Sequence, residues 1–385
     1  MRNQTSFIIT SLILGINTLL ATGVYIGTYT TPETKGTGEG IYYFHIDDRN
    51  DEISLPPEIA AQATIDQTVN SSYLLINQDT LYAVNELSPI GSVTAYRINS
   101  NHTLTFINKE STGLASPVCL LMDNSKKNLI IANYGDNTPN STSGLTVLPI
   151  QEKNKVGASI QKVPYLSTPT ISHTHGVAKQ IIEGVEYIFA TDLGTGMLYA
   201  YKFDPTEKEP LQLFASASCA SGQGPRHAVV SKNGKYIYVA NEVDAAQPTT
   251  SSVSIFRFDA KSKSLILLKS VKAEHQSDLT INYPSELAIH GPHLFLANRG
   301  GNNIAKFDIT NGGEDLTYVT QVSNINYQWP REFAITPNGK YLVAAYQKSN
   351  NVMVFRIEDN GHLKEVKTSQ PININSPVSI AFTTN

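Results

Sequence analysis

The chain repeats one pattern of hydrophobic and polar positions, an apolar strand that ends in a small residue followed by a polar one. Clear copies lie at residues 236–242 and 341–347. The aligned positions are Thr28, Asn85, Asn133, Thr191, Asn241, Asn298 and Tyr346. They stand 48 to 58 residues apart. A period of about 50 residues with several short strands in each copy is typical of a β-propeller.

Each copy predicts four strands in a constant order. A first strand starts at a proline or its equivalent, as at Pro225 and Pro330. An Asn-Gly turn such as Asn233-Gly234 favours a hairpin into the second strand, which ends at the repeated polar position. A third strand alternates apolar and polar residues, as at 253–259, and a shorter fourth follows. Four antiparallel strands make one propeller blade.

The two ends of the chain complement each other. The N-terminal part opens at a second strand over 24–29, and the C-terminus supplies a lone first strand over 376–382. Together they complete one blade, and such closure removes the free sheet edge that would otherwise invite aggregation. The sequence therefore predicts an all-β fold, a seven-bladed β-propeller of four-stranded antiparallel blades, as a single domain over 23–385.

Composition and charge narrow the functional classes. A hydrophobic content of 41% and a charged content of 16% fit a packed globular protein. A net charge of −4 gives no general field for nucleic acid or an anionic membrane, so any preference for anions needs a local cluster. Cys119 and Cys219 lie in different repeats, which favours buried free thiols, although export would permit their single possible pairing.

The first residues differ from the repeats. One positive charge, Arg2, precedes an interrupted apolar run over 7–20, and the small Ala21 follows. This pattern predicts an export signal over 1–22, and it is too short and too interrupted for a membrane span. We expect a periplasmic or secreted protein, without stable membrane insertion, if the signal is removed, and a cytoplasmic protein otherwise.

The propeller geometry predicts which distant residues meet. In antiparallel blades the starts of the first strands and the ends of the second strands lie at one face. The residues after the proline positions are Ser72, Val118, His175, Arg226, Ser285, Arg331 and Val378. The residues that close the second strands are Tyr29, Glu86, Tyr134, Asp192, Glu242, Arg299 and Gln347.

This face carries three arginines, and arginine is suited to bidentate capture of a carboxylate or a phosphate. Structural ion pairs around the channel are the alternative interpretation. His173 and His175 have the strand spacing of a metal pair. No third ligand is evident and the arginines oppose a metal ion, so neither a metal nor another cofactor is predicted.

Several of these stretches resemble a known family. The resemblance covers about residue 24 to the C-terminus and rests on residues 24–30, 40–42, 224–227, 241–242, 298–300 and 330–333. They are similar to the lactonase propellers, which include the propeller type of 6-phosphogluconolactonase and the fungal carboxy-muconate cyclase. The resemblance implies a metal-independent enzyme that opens or forms a lactone. The His, two Arg and Glu proposed for the cyclase branch correspond by position to His175, Arg226, Glu242 and Arg299. The usual family context of that histidine is His-Pro-His, where this chain has His173-Thr174-His175.

The leading hypothesis is a 6-phosphogluconolactonase-like lactonase acting on a small anionic lactone or sugar acid. In it His175 is the base, and Arg226 and Arg299 hold the oxyanion and the substrate anion. Glu242 orients an arginine or the histidine, or shuttles a proton. The predicted substrate-binding residues are Arg331, Glu286 and His227. The alternatives are a carboxy-cis,cis-muconate cyclase-type lactonising enzyme and a non-catalytic envelope or extracellular binding propeller.

Overall fold

Seven antiparallel sheets make up the part of the chain that the structure, a computed structural model, describes. The described residues are 21–64, 67–136, 142–165, 171–243, 251–274 and 282–383. Within these ranges there is no α-helix, and the helical turns are short 3-10 segments at Pro32–Thr34, Glu152–Asn154 and Asn311–Gly313. No helix in the same ranges has the length and apolarity needed to cross a bilayer.

Six blades are formed by strands that follow one another along the chain. Blade 1 contains β5 (Leu74–Asn77), β6 (Thr80–Asn85), β7 (Ser92–Ile98) and β8 (Leu104–Ser111). Blade 2 contains β9 (Pro117–Met122), β10 (Asn128–Asn133), β11 (Ser143–Pro149) and β12 (Gln161–Tyr165). Blade 3 contains β13 (Thr174–Ile182), β14 (Val185–Asp192), β15 (Met197–Phe203) and β16 (Leu211–Ser218). Blade 4 contains β17 (Gln223–Val230), β18 (Tyr236–Val243), β19 (Ser252–Asp259) and β20 (Ser264–Lys272). Blade 5 contains β21 (Pro284–His290), β22 (His293–Asn298), β23 (Asn303–Thr310) and β24 (Asp315–Ser323). Blade 6 contains β25 (Pro330–Ile335), β26 (Tyr341–Tyr346), β27 (Asn351–Ile357), β28 (Leu363–Glu365) and β29 (Ile372–Asn373).

Blade 7 joins the two ends of the chain, as the repeat predicts. It contains β1 (Ala21–Thr28), β2 (Gly40–Asp47), β3 (Glu52–Ile53), β4 (Glu58–Gln62) and the C-terminal β30 (Pro377–Phe382). Strand β30 pairs with β1 in antiparallel register, from Val24 opposite Phe382 to Gly27 opposite Ser379. Strand β1 begins earlier than expected, since Ala21 already pairs with Asp47 of β2. The predicted export segment otherwise falls on residues 1–20, outside the described ranges.

The innermost strands close into a ring around a central channel. Each of β5, β9, β13, β17, β21, β25 and β30 contacts the next, and β30 returns to β5. Apolar side chains of neighbouring blades pack between the sheets, with large aromatic residues such as Tyr238, Phe256 and Phe307 fully buried. The predicted seven-bladed propeller is confirmed. Cys119 and Cys219 are buried free thiols.

The repeated polar residue at the end of each second strand has a structural role in several blades. The Asn133 side chain donates to Gly144 O and Thr146 Oγ1, both 3.1 Å away on the third strand. Asn298 donates at 3.0 Å to Asn303 and at 3.0 Å to Ala273 O in the preceding blade. A buried amide needs such partners, and here its bonds join strands and blades. The sequence repeat therefore records the contacts that hold the ring together.

The first strands share an irregularity that shapes the channel. The register shifts between Pro225 and His227, between Pro330 and Glu332, and between Thr174 and Val177. Bulges of this kind redirect side chains and are common near active sites. Here the shifted residues include His175, Arg226 and Arg331. The bulges thus present polar side chains at the end of the ring where the first strands begin.

Candidate active site at the mouth of the channel

A cavity of about 400 Å³ opens at the end of the channel where the bulges lie. All seven blades reach it, because side chains at or next to the ends of first and second strands meet there. Its lining residues are Tyr29, Glu33, Thr34, Glu86, Val118, Tyr134, His175, Leu193, Glu242, Arg299, Trp329, Arg331 and Gln347.

Glu242 is the central anion of the cavity wall. Its Oε1 lies 3.0 Å from Arg226 Nε, and Arg299 Nη2 donates to the same oxygen. The Arg226 Nε–H is not aimed at that oxygen, so this contact is an ion pair without a hydrogen bond. Arg226 is only 3% exposed, and its Nη1 donates to Ser285 O at 2.9 Å. Arg226 therefore lies behind Glu242 and fixes it, while Glu242 faces the cavity.

Arg299 is held by its backbone surroundings and by two aromatic rings. Its Nε donates to Tyr283 O at 3.1 Å. Its Cζ lies 5.4 Å from the centre of the Trp329 ring and 5.7 Å from that of Tyr283. Aromatic faces attract a guanidinium and restrict its orientation. Lys348 Nζ lies 3.2 Å from the centre of the same Trp329 ring, which adds a second cation at the rim.

Arg331, Tyr29 and Glu86 form a second group of linked polar side chains in the cavity wall. Arg331 Nη2 donates to the Tyr29 hydroxyl, and that hydroxyl donates to Glu86 Oε2 at 2.8 Å. The Arg331 Cζ also lies 4.9 Å from the centre of the Tyr29 ring. Burial raises the pKa of Tyr29, so the phenol remains protonated and can transmit both hydrogen bonds. Tyr29 thereby joins a guanidinium and a carboxylate from different blades.

His175 lies in the cavity wall, in contact with Tyr134 and His227. It is 6% exposed, and its ring meets Tyr134 edge-on at 5.8 Å and the deeper His227 at 5.0 Å between ring centres. Its Nδ1 is buried without a hydrogen-bond partner among the described residues. Burial lowers the pKa of His175 well below 6.5, and Arg226, His227, Arg331 and Arg299 lower it further. The imidazole is therefore neutral at neutral pH and can accept a proton.

The three arginines at the mouth differ in how well their charges are compensated. Burial lowers the pKa of Arg331, but Tyr29, Glu86 and Glu332 outweigh it and raise that pKa, whereas Arg226 and Arg299 shift the other way. Burial, together with Arg331, lowers the pKa of Arg226 to about 10. Burial, with Arg226 and Arg331, also lowers the pKa of Arg299. Guanidinium groups stay protonated in proteins, so these directions indicate crowded cations rather than neutral arginines. An anionic ligand in the cavity would relieve that repulsion.

The structure separates the predicted site residues into two levels. His175, Glu242, Arg299 and Arg331 line the cavity, with Arg226 directly behind Glu242. His227 and Glu286, predicted to bind substrate, are in contact with each other and are not among the lining residues. The register shift after Pro225 places Arg226 and His227 at different depths although they are consecutive.

Trp329 and Leu193 also line the cavity, at positions that the sequence analysis does not indicate. The single Trp of the chain, Trp329, occupies the position before Pro330 and has a positive φ of 69°. A bulky residue in that region is unusual and marks a constrained backbone, a feature that sequence does not display. Leu193 lines the cavity where Asp192 was expected. Asp192 is instead buried and accepts hydrogen bonds from Ser172 and from the backbone of the turn.

The possible metal pair has another arrangement. The His173 ring stacks on Tyr134 with ring centres 4.1 Å apart, and its Nδ1 lies 3.0 Å from Tyr134 O. Tyr134 thus contacts both histidines, one through its face and one through its edge. In the ranges that the structure covers, no three His, Cys, Asp or Glu side chains are placed to share a metal ion.

Comparison with known proteins assigns the family. Residues 23–382 match the family described as "Lactonase, 7-bladed beta-propeller". The chain belongs to this lactonase family. The match covers both ends of the ring, including the strands that share blade 7, so the resemblance seen in short motifs extends over the whole propeller.

Individual relatives of this lactonase-family propeller span nearly its full length. A protein of Bacillus subtilis named 6-phosphogluconolactonase is 28% identical over 371 residues, covering 93% of this chain and 97% of the relative. One of Formosa agariphila with the same name is 26% identical, covering 93% and 99%. A solved structure from Pseudomonas aeruginosa, named a periplasmic gluconolactonase, is 25% identical with a TM-score of 0.80, covering 94% and 99%.

Proposed function

We propose that this protein hydrolyses the lactone of a sugar acid that carries an anionic group, with 6-phosphogluconolactone as the leading substrate. The observation that carries the proposal is the meeting of His175, Glu242, Arg299 and Arg331 in one cavity, with Arg226 behind Glu242. The names of the relatives from B. subtilis, F. agariphila and P. aeruginosa support lactone hydrolysis.

In this proposal each group has a part in the reaction. Water attacks the lactone carbonyl carbon while His175 takes a proton from it. The carbonyl oxygen becomes negative and is stabilised by Arg299, whose guanidinium is already oriented by Glu242 and Trp329. The ring C–O bond then breaks, and the proton on His175 passes to the departing alkoxide. The product is the open hydroxy acid.

The anionic substrate also assists the base. The arginines that lower the pKa of His175 are the groups that a bound anion would partly neutralise. An anion between Arg299 and Arg331 therefore raises the pKa of His175 toward its ordinary value and strengthens it as a base. Arg331 and the rim residue Lys348 are placed to hold the charged end of the substrate.

We further propose that the reaction needs no metal and that the protein works outside the cytoplasm. Arg299 and Arg331 line the cavity and oppose a divalent ion, and none of the proposed steps needs one. Export is supported by the N-terminal pattern of one arginine and an apolar run, and by the periplasmic name of the P. aeruginosa neighbour. A non-phosphorylated sugar-acid lactone is then the second substrate to test.

Proton release during hydrolysis tests the proposal directly. Wild-type protein is assayed with 6-phosphogluconolactone and gluconolactone, with the spontaneous rate subtracted, with and without EDTA. We expect turnover of at least one lactone, unaffected by EDTA, and a loss of roughly 100-fold or more in Arg299→Lys, which keeps the charge but loses the planar fork. Lys208→Gln, at an exposed position, serves as the matched control.

Two outcomes contradict the proposal. Absence of turnover together with ligand-dependent stabilisation favours a binding propeller. Turnover confined to a carboxy-muconate, followed by its ultraviolet absorbance, favours the lactonising alternative.

A further inference from the structure

A second cluster of ionisable side chains fills the channel beneath the cavity and has no part in the mechanism described so far. Its members are Tyr73, Cys119, His227, Glu286 and Glu332, contributed by blades 1, 2, 4, 5 and 6. His227 is 5% and Glu332 is 7% exposed, and Cys119 is 2% exposed. Buried ionisable groups are costly, so their position on the axis of a catalytic propeller calls for a function.

The contact between His227 and Glu286 determines which nitrogen of His227 carries the proton. Nδ1 lies 2.6 Å from Glu286 Oε2, and the other carboxylate oxygen accepts the Leu287 N–H at 3.0 Å. A carboxylate accepts hydrogen bonds, so Nδ1 of His227 donates and Nε2 is left with a lone pair. That Nε2 is buried and has no hydrogen-bond partner among the described residues.

The unpaired Nε2 of His227 belongs to a ring that contacts the ring of His175. The rings of His175 and His227 are 5.0 Å apart between centres at 61°. His175 lines the cavity, while its Nδ1 is buried and unpartnered. The two unsatisfied nitrogens thus belong to rings in contact. When His175 takes a proton on the nitrogen toward the cavity, its Nδ1–H becomes part of a cation that needs an acceptor.

We propose that Glu286 and His227 act through His175 as a proton-relay support, with Glu286 fixing the His227 tautomer and His227 Nε2 accepting the Nδ1–H of protonated His175. His227 and Glu286 are then positioning residues rather than substrate-binding ones. The arrangement follows the logic of a base oriented by a partner that is itself oriented by a carboxylate. The kinetic consequences of this inference rest on the proposed lactonase function. The tautomer of His227 does not depend on it.

The other charged and ionisable groups around the pair are compatible with this state. Burial lowers the pKa of His227, with Arg226 and Arg331 in the same direction and Glu286 opposing them, so His227 is neutral. Burial and the neighbouring Glu286 raise the pKa of Glu332 well above 4.5, which favours its protonated form. Burial raises the pKa of Cys119 to about 12, and Cys119 raises that of Tyr73. His227 therefore keeps a free acceptor at Nε2 while its Nδ1 stays in contact with Glu286.

The kinetic test uses Glu286→Gln, which keeps the shape but can donate to Nδ1 and so favours the wrong His227 tautomer. We expect kcat to fall by about 10-fold or more, as for other misoriented general bases. KM should change by less than about 2-fold, because neither residue lines the cavity. Glu314→Gln, which alters a carboxylate that accepts from Tyr236 at 3.1 Å, is the matched control and should keep wild-type kinetics.

The double variant shows whether the two residues work as a unit. His227→Gln combined with Glu286→Gln should be within about 2-fold of the slower single variant, because the relay is already broken by either change. Multiplication of the two losses would indicate independent, structural roles and would overturn the relay. A purely structural role would also lower the melting temperature in parallel with kcat.

A spectroscopic test is independent of lactone turnover. Nitrogen-15 chemical shifts of the imidazoles in wild-type protein should show His227 protonated at Nδ1 and bare at Nε2, with His227→Gln used for assignment. Glu286→Gln should reverse this tautomer and shift the His175 resonances. A bare Nδ1 on wild-type His227, or unchanged His175 resonances, overturns the relay. Failure of every lactone would overturn the proposed function alone.

Discussion

The residues at the mouth act through charges that are concentrated in a small, buried volume. Arg226 and Arg299 share one carboxylate oxygen of Glu242, and Arg331 reaches Glu86 only through Tyr29. Burial removes the water that would screen these cations. The result is a pocket whose positive potential lowers the pKa of His175 and attracts an anion. The same arginines therefore affect both the binding of an anionic substrate and the basicity of His175.

The field at His175 predicts the pH dependence of the free enzyme. Neutral His175 is the active form, and its pKa lies well below 6.5 because of burial and the arginines. We expect kcat/KM to stay constant as the pH falls through 6.5 and to decline only at lower pH. Arg331→Gln removes one of the cations that lower the pKa, so its acid limb should move to higher pH. An acid limb at or above 6.5 in wild-type protein would contradict this account.

The rim cation predicts substrate preference at a single residue. Burial, Arg299 and Lys35 lower the pKa of Lys348, so Lys348 lies within the field of the mouth. We expect Lys348→Gln to raise KM for a phosphorylated lactone by roughly 2- to 5-fold, a size typical of one exposed charge. KM for neutral gluconolactone should not change, and the effect should shrink with added salt. Equal effects on both lactones, or an equal effect in the control Lys208→Gln, would contradict a role in recognising the phosphate.

At the scale of elements, the bulges on the innermost strands create the site. The shift between Thr174 and Val177 contains His175 and Gly176, and the shift between Pro225 and His227 contains Arg226. The two bulges touch, because Thr191 Oγ1 donates to Arg226 O at 2.5 Å and also accepts the Gly176 N–H at 2.9 Å. The backbones that carry the base and the arginine are thus linked through the Thr191 hydroxyl.

This contact predicts a strict requirement for glycine at position 176. A Cβ there would lie 2.5 Å from Arg226 O and 2.9 Å from His227 Cα, both backbone atoms that cannot rotate away. We expect Gly176→Ala to lose about 1–3 kcal/mol in the free energy of unfolding and most of the lactonase activity. Gly184→Ala is the comparison, since it has open space but a φ of 80°. It should lose about 1–2 kcal/mol from backbone strain and keep its activity. Full activity in Gly176→Ala would show that the bulges are not coupled.

The sequence predicts the strands and their order better than it predicts how deep in the channel each side chain lies. The repeat places Glu242, Arg299 and His175 at one face because antiparallel strands leave no other arrangement. It does not reveal the register shifts, so it predicts both Arg226 and His227 at the mouth, although Arg226 lies behind Glu242 and His227 lies in the channel. For the same reason Asp192 was expected at the cavity, where the chain presents Leu193. These differences depend on backbone dihedral angles and on bulges, and the residue types at these positions do not indicate where a bulge falls.

At the scale of the whole molecule, the cavity depends on the complete ring. Blades 1 to 7 supply in turn Glu86, Tyr134, His175, Glu242, Arg299, Arg331 and Tyr29. A lining residue from every blade means that a change in the spacing of any two blades alters the whole wall. Most of these residues bond or pack across a blade boundary, as Tyr29 does with both Arg331 and Glu86. The site therefore forms only after the ring has closed.

Closure predicts that the last strand controls both stability and activity. A chain that ends at residue 375 lacks β30, which exposes the edge of β1 and removes the buried side chains of Val378 and Ile380. Their burial alone is worth about 3–6 kcal/mol, so we expect a large fall in melting temperature, aggregation through the open edge and no lactone turnover. A chain that ends at residue 383 keeps all of β30 and is the control.

Because β30 pairs with β1 along its length, a synthetic peptide of residues 375–383 should restore melting temperature and turnover together, whereas a scrambled peptide should restore neither. Wild-type melting and turnover in the shortened chain would show that the ring does not need this closure.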